Sequence, residues 1–196
     1  MIRTLLVPGL DASPAPHWQH WWAATDPKAL MVDLPDAGRP DPTRWETELA
    51  GQVLIHQDCV LVGHSLGAVL ITRLLTKWPN LRIRAALLVA PAEPSRSSRI
   101  AHFAPILERP LQVPTTLVAS RTDPWMPYDR SSQLARVWGS NLIDLGLAGH
   151  INVASGFGPW PFGKTLRDDL DQQSADIQAS EHHMPRREVS HVQRWQ

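Results

Sequence analysis

Three residues of the chain have the types and the order that nucleophilic catalysis by a serine requires: Ser65, Asp123 and His150. Ser65 is the centre of Gly63-His64-Ser65-Leu66-Gly67, a Gly-x-Ser-x-Gly sequence typical of a sharp strand-to-helix turn that exposes the serine hydroxyl. A serine hydroxyl is a weak nucleophile at neutral pH, so a histidine must accept its proton and an acid must orient that histidine. The order serine, acid, histidine therefore predicts acyl-transfer chemistry.

The acid has rivals in the sequence. Asp123 comes directly before Pro124 and would also suit a simple turn. Asp144 is the other candidate, but it lies inside a predicted strand, one residue before the end. Asp123 is preferred because it follows a predicted strand, and groups that act on ligands gather at the strand ends of open α/β sheets.

The base is assigned to His150 because it follows the last predicted strand. His64 is adjacent to Ser65 but points away along the turn, so we expect it to pack or to form a hydrogen bond. Four other histidines precede the last strand or lie away from its loop, outside the required order: His17, His20, His56 and His102.

Acyl transfer also needs two N–H donors for the negative oxygen of the tetrahedral intermediate. Leu66 supplies the first, because it follows the nucleophile and begins a helix whose positive end favours negative charge. The second comes from the loop after the first strand. Pro8 has no N–H and Gly9 permits close approach of the backbone, so the second donor is assigned to Leu10.

The elements that must position these residues alternate between buried strands and helices, as in a parallel sheet covered on both faces. The sequence thus predicts an α/β fold with roughly six parallel strands. Strands are predicted at residues 4–7, 30–34, 59–63, 85–90, 115–120 and 141–145. Helices are predicted at 16–24, 42–57, 66–78, near 97–104, at 129–138 and from 164 to about 175.

The chain of 196 residues fits one domain, which we place at residues 1–173. Residues 174–196 are polar and of mixed charge, so a flexible tail is expected there. His182, His183 and His191 in this tail do not match the spacing of a metal site. No metal and no cofactor are expected.

The charge balance points to a small neutral partner. Lys plus Arg and Asp plus Glu each number 19, which gives no reason to expect binding to nucleic acid or to a membrane. The single Cys59 lies in a predicted core strand, and no signal peptide is recognisable, so a cytoplasmic location is expected. The sequence leaves a protein partner open.

Several motifs together resemble the small α/β-hydrolases grouped with retinoblastoma-binding protein 9 and its bacterial relatives, a serine hydrolase family. The resemblance covers about residues 3–173. It implies that Ser65, Asp123 and His150 are the catalytic triad and that the six-stranded sheet is compact without a large lid. The substrates of the family are mostly undefined beyond small esters. The motifs are Val7-Pro8-Gly9, His17-Trp18-Gln19 through Trp22, the Ser65 turn, Ser120-Arg121-Thr122-Asp123-Pro124, and Gly149-His150-Ile151-Asn152 followed by Ser155-Gly156.

Aromatic residues crowd the loops that carry these motifs. We expect at least one of Trp18, Trp125 and Phe157 to line the substrate pocket. The sequence as a whole favours a serine hydrolase that cleaves a small carboxylic ester or a related acyl bond through an acyl-enzyme. Two alternatives remain: a protein that uses the hydrolase scaffold to bind a partner, and an amidase or thioesterase with the same triad.

Overall fold

The computed structural model describes residues 3–183. They form a six-stranded parallel sheet in the order β2-β1-β3-β4-β5-β6, which confirms the predicted α/β fold class. The strands are β1 (Thr4–Val7), β2 (Ala29–Met31), β3 (Cys59–His64), β4 (Ile83–Val89), β5 (Thr115–Ala119) and β6 (Asn141–Asp144). The strand order reverses between β1 and β3, and ligands of open α/β sheets bind at such a reversal.

Helices cover both faces of the sheet. They are α1 (Trp18–Thr25), α2 (Pro42–Ile55), α3 (Leu66–Lys77), α4 (Tyr128–Trp138) and α5 (Pro161–His183). Successive side chains of a strand point to opposite faces, so the core divides into two clusters. In β3, Leu61 packs with the side chains of α2, α3 and α4, while Val60 and Val62 pack with those of α1 and α5.

The connection between β4 and β5 is short and carries no separate lid domain. It contains two 3₁₀ turns, Pro94–Arg96 and Ala101–Phe103, in place of the short helix predicted near 97–104. Phe103 is fully buried and packs its ring against Trp45 of α2 at a centroid distance of 5.7 Å. The connection is therefore fixed to the body of the molecule.

The C-terminal helix α5 spans 23 residues and extends past the predicted domain end at 173. Residues 174–183, expected to belong to a flexible tail, continue the helix. Ser174 is buried and its Oγ donates to the Arg84 carbonyl at 2.9 Å, while Arg84 pairs with Asp171 at 2.8 Å. The rest of the predicted tail, 184–196, lies outside the described residues, as do the side chains of His182, His183 and His191.

None of the helices within residues 3–183 combines the length and the apolar character needed to cross a membrane.

Candidate active site

Ser65 occupies a sharp turn between β3 and α3. Its backbone has φ +55° and ψ −121°. Residues other than glycine rarely adopt such a strained backbone conformation, and those that do are found mostly at functional sites. The turn brings the start of α3 against the end of β1. A Cβ atom on Gly67 would lie 2.2 Å from the Val7 carbonyl oxygen, so only glycine fits there. The turn is anchored by the Ser65 N–H, which donates to the Val89 carbonyl of β4 at 3.0 Å.

The structure brings Ser65, His150 and Asp123 into one hydrogen-bonded chain. His150 Nε2 lies 2.9 Å from Ser65 Oγ, and His150 Nδ1 lies 2.9 Å from each carboxylate oxygen of Asp123. The side chains of His150 and Asp123 are 8% and 2% exposed. Because a carboxylate only accepts, Nδ1 carries the ring proton and Nε2 presents its lone pair to the Ser65 hydroxyl. This arrangement can remove a proton from Ser65.

Two loops after β5 and β6 support each other and fix this chain. The Thr122 Oγ1 accepts from the Gly149 N–H at 3.1 Å, which ties the Asp123 loop to the His150 loop. The His150 N–H in turn donates to Ser155 Oγ at 3.0 Å. His150 and Asp123 are therefore held by two loops that are hydrogen-bonded to each other.

The rival acid Asp144 lies elsewhere. Its carboxylate accepts from Arg121 Nε at 2.7 Å, and this hydrogen bond from Arg121 lowers the pKa of Asp144. The structure places Asp123, and not Asp144, against His150.

Two further histidines form a row of rings with His150. The ring centroids of His17 and His64 are 4.9 Å apart, and those of His64 and His150 are 5.0 Å apart. His64 Nε2 lies 2.9 Å from the His150 carbonyl and donates to it, in keeping with the hydrogen-bonding role expected for His64. Burial lowers the pKa of His64 well below its ordinary value and lowers that of His17 to about 4. Both rings are therefore neutral near pH 7.

The sequence analysis did not predict the structural role of His17. Its Nδ1 accepts from the Gln19 N–H at 3.2 Å, so it caps the start of α1 while its ring packs on His64. The available signal was its position directly before Trp18-Gln19, at the start of a predicted helix.

The two predicted oxyanion donors, Leu10 and Leu66, border the same cavity as Ser65. Gly9 lets the β1–α1 loop approach the turn closely, since a Cβ atom on Gly9 would lie 2.9 Å from Ser65 Cβ. Among the described residues, neither the Leu10 N–H nor the Leu66 N–H has a hydrogen-bond acceptor. Both donors are free to bind a substrate oxygen.

The cavity above Ser65 has a volume of about 330 Å³. Its walls are largely apolar, and its polar lining includes Ser65, His150, Asp11 and Arg99. The apolar side chains of the lining are Leu10, Ala12, Leu66, Ala92, Ile100 and Trp125.

Of the three aromatic residues expected at the pocket, only Trp125 lines it. Trp18 is fully buried, and its Nε1 donates to the Ile151 carbonyl at 2.9 Å. Phe157 is half-buried and packs against Trp160 at a centroid distance of 6.0 Å, at the margin of the core cluster. Trp125 thus meets the expectation that at least one of the three lines the pocket, whereas Trp18 and Phe157 do not line it, because their apolar rings pack in or against the core.

In the part of the chain that the structure describes, side chains grouped to bind a metal ion are absent and the single thiol is buried. Within residues 3–183, no three His, Cys, Asp or Glu side chains are grouped so that they could hold a metal ion. Cys59 is fully buried in β3, and burial raises the pKa of its thiol to about 12. Its thiolate form, which is the nucleophile, is therefore not populated near neutral pH.

The hydrogen-bonded chain at Ser65 agrees with the protein family to which the sequence is similar. The profile of the family described as "Serine hydrolase" matches residues 4–168, and the chain belongs to this family. The protein is thus a hydrolase of the serine class, and its resemblance to small bacterial serine hydrolases is confirmed. No functionally curated protein matches the chain.

Among solved structures, one relative supports the family assignment and two more distant matches show the shared fold. A YdeN-like hydrolase from Pectobacterium atrosepticum is 34% identical, with 89% of this chain and 92% of that chain covered and a TM-score of 0.81. The ydeN gene product of B. subtilis is 20% identical, with 87% and 98% covered and a TM-score of 0.73. Est1E from Butyrivibrio proteoclasticus, solved with ferulic acid, is 12% identical, with 91% and 90% covered and a TM-score of 0.67, and shows the shared fold.

Proposed function

We propose that the protein is a serine esterase that cleaves small carboxylic esters through an acyl-enzyme, with Ser65, His150 and Asp123 as the catalytic triad. The observation that carries the proposal is the unbroken hydrogen-bonded chain from Asp123 through His150 to Ser65, at the edge of a largely apolar cavity. Membership of the serine hydrolase family supports hydrolysis as the class of reaction, and the volume of the cavity supports a small substrate.

Acylation begins when Ser65 Oγ attacks the ester carbonyl carbon. Its proton passes to His150 Nε2, and the Asp123 carboxylate stabilises the positive charge that then forms on the imidazole ring. The carbonyl oxygen becomes negative and accepts from the N–H groups of Leu10 and Leu66. When the tetrahedral intermediate collapses, the bond to the alcohol oxygen breaks and His150 returns the proton to the departing alcohol.

Deacylation repeats these steps with water as the nucleophile. His150 Nε2 accepts a proton from the water as its oxygen attacks the acyl carbon, and the same two N–H groups hold the second negative oxygen. His150 then protonates Ser65 Oγ as the carboxylic acid leaves. No external cofactor enters either half of this sequence.

The cavity favours a small substrate. Its volume of about 330 Å³ is at the low end of ligand pockets, which span roughly 300–1,000 Å³. The apolar walls formed by Leu10, Ile100 and Trp125 suit an acyl group, and the ester bond must lie beside Ser65 and His150, which line the same cavity.

The proposal is tested with a fluorophosphonate probe and with p-nitrophenyl acetate. The probe labels a serine only when a neighbouring base activates it, so the wild-type protein is expected to react rapidly. Ser65→Ala is expected to lose labelling and to lose about 10³-fold or more in kcat, because nucleophile and proton transfer are lost together.

Ser97→Ala is the matched control. Ser97 lines the same cavity but lies outside the hydrogen-bonded chain, so this variant is expected to keep both labelling and turnover. A wild-type protein that does not react with the probe, or a Ser65→Ala variant that retains esterase activity, would contradict the proposal. The first of these results would favour a binding protein on a hydrolase scaffold.

A further inference from the structure

Arg99 lies at the cavity and connects three separate segments of the chain. Its Nη1 and Nη2 donate to the two carboxylate oxygens of Asp11 at 2.8 and 2.6 Å, and Nη2 also donates to the Gly38 carbonyl at 2.9 Å. Arg99 belongs to the β4–β5 connection, Asp11 to the β1–α1 loop and Gly38 to the β2–α2 loop. We call these three residues the Arg99 clamp.

The clamp holds a loop whose backbone is strained. Asp11 and Ala12 have φ values of +62° and +63°, and two consecutive non-glycine residues in this region are unfavourable. Such strain persists only where surrounding contacts enforce it. At the strained residues, the Asp11 N–H donates to the Ala37 carbonyl at 2.9 Å, and the Ala12 N–H donates to the Gly9 carbonyl at 3.2 Å. Further along the loop, Ser13 Oγ donates to Gln19 Oε1 at 2.7 Å.

The strained residues follow directly after Leu10, the proposed second oxyanion donor. A loop that relaxed at Asp11 would move the Leu10 N–H relative to Ser65. The donor must lie about 2.7–3.1 Å from the oxygen in the transition state, so a small displacement weakens the hydrogen bond. The clamp therefore acts on a group whose position determines the rate.

We propose that Arg99 is a positioning residue that, by holding Asp11, keeps the Leu10 N–H in place to bind the negative oxygen of the reaction. This inference rests on the proposed esterase function. Arg99 lowers the pKa of Asp11, so the pair stays charged throughout the pH range of an ester assay.

Exposure of the pair makes the inference testable. The side chains of Arg99 and Asp11 are 49% and 58% exposed, and exposed ion pairs contribute little to global stability. Loss of the clamp should therefore leave the melting temperature nearly unchanged while it lowers turnover. A residue with a purely structural role would show the opposite pattern.

The chain offers a closely matched control in the pair of Arg82 and Asp58. These side chains are 64% and 47% exposed and lie 2.6 Å apart, and Asp58 also has a positive φ of +58°. Asp58 directly precedes β3, whereas Ser65 directly follows it, so the two residues lie at opposite ends of this strand. Arg82→Met removes the same kind of contact far from the cavity.

The experiment measures kcat and KM for p-nitrophenyl acetate together with inhibition by a trifluoromethyl ketone, which places an oxyanion in the site after addition of Ser65. Arg99→Met is expected to lower kcat about fivefold with KM unchanged, the upper range for an exposed pair. Inhibition by the ketone should weaken by the same factor. Arg99→Lys should restore less than half of the loss, because an ammonium group cannot bind both carboxylate oxygens in parallel.

A double variant separates a shared contact from two independent effects. Asp11→Asn/Arg99→Met should be no slower than Arg99→Met alone, because both changes act on one interaction. The inference is overturned if Arg99→Met keeps the wild-type kcat, if Arg82→Met lowers kcat equally, or if the melting temperature falls with kcat. Any of these results with an inactive Ser65→Ala would leave the esterase function standing, whereas an active Ser65→Ala would overturn that function itself.

Discussion

At the scale of single residues, the neighbours of each carboxylate determine what it can do. Asp123 is almost fully buried and both of its oxygens face His150 Nδ1, whereas Asp144 is held by the guanidinium of Arg121. A buried carboxylate beside an imidazole selects one tautomer and stabilises the imidazolium ion. A carboxylate that is already paired with an arginine has no such effect on a distant ring.

Asp123→Asn is therefore expected to lower kcat by about 10⁴-fold, because the amide favours the wrong tautomer of His150. Asp144→Asn should change kcat less than about threefold, as befits an exposed ion pair. The kinetics of p-nitrophenyl acetate hydrolysis measure both effects, with circular dichroism to check folding. If Asp144→Asn were the more damaging change, the acid would be wrongly assigned.

The sequence predicted which polar residues lie together better than it predicted the walls of the cavity. Ser65, Asp123 and His150, which the structure joins by hydrogen bonds, could be grouped from their order and from their positions after strands. Trp18 could not be placed, because a position in a loop or at a helix start does not reveal the direction of the ring. Its Nε1 finds an acceptor at Ile151, 133 residues further along the chain, which no local pattern encodes.

At the scale of elements, the site depends on how closely α3 packs against the end of β1. Gly67 lies in the first turn of α3, and the space for its missing side chain is filled by the backbone of Val7 and Pro8. Backbone atoms cannot move aside as a flexible side chain can. The contact therefore contributes to the packing of α3 on the sheet, and it also fixes the position of the Leu66 N–H.

Gly67→Ala is expected to reduce the free energy of unfolding by about 1–3 kcal/mol, because the added Cβ would overlap backbone atoms. Gly51→Ala makes the same change in α2, where a Cβ atom would meet nothing within 4 Å. That control should gain up to about 1 kcal/mol from helix propensity. Urea unfolding compares the two, and equal effects would show that the close packing at Gly67 does not constrain the fold.

Helix α5 (Pro161–His183) contains the helix predicted from 164 to about 175 but extends beyond it at both ends. Its buried residues Leu166, Leu170 and Ser174 are spaced four apart and form a narrow stripe on one face. The stripe ends in a serine, so the polar composition after residue 173 suggested a tail instead of a continued helix. The hydrogen bond from Ser174 to the Arg84 carbonyl is a tertiary contact that composition does not report.

At the scale of the whole molecule, the depth of the site follows from the connections between strands. The β4–β5 connection contains two 3₁₀ turns and is fixed by Phe103, so no inserted domain encloses a long acyl chain. The cavity is bounded by the body of the molecule and by the ends of the loops. Added methylene groups beyond its walls stay in water and gain none of the roughly 0.8 kcal/mol that full burial provides.

Among p-nitrophenyl esters, kcat/KM is expected to be highest for acyl chains of about two to four carbons, with no gain for longer chains. Ile100 lines the cavity, so Ile100→Ala should shift the optimum toward longer chains, while Ile177→Ala on the exposed side of α5 should not. An optimum at eight carbons or more in the wild-type protein would show a deeper acyl site than the one described.

The row of three imidazoles has a consequence for the movement of protons during turnover. His17 and His64 stay neutral because burial disfavours their charged forms, and their closeness to His150 disfavours those forms further. Neither ring therefore places a positive charge beside His150 in the proposed proton transfer from Ser65. Of the three neighbouring rings, only His150 would carry a proton taken from Ser65, so in the proposed mechanism that proton stays beside the Ser65 hydroxyl and does not move along the row.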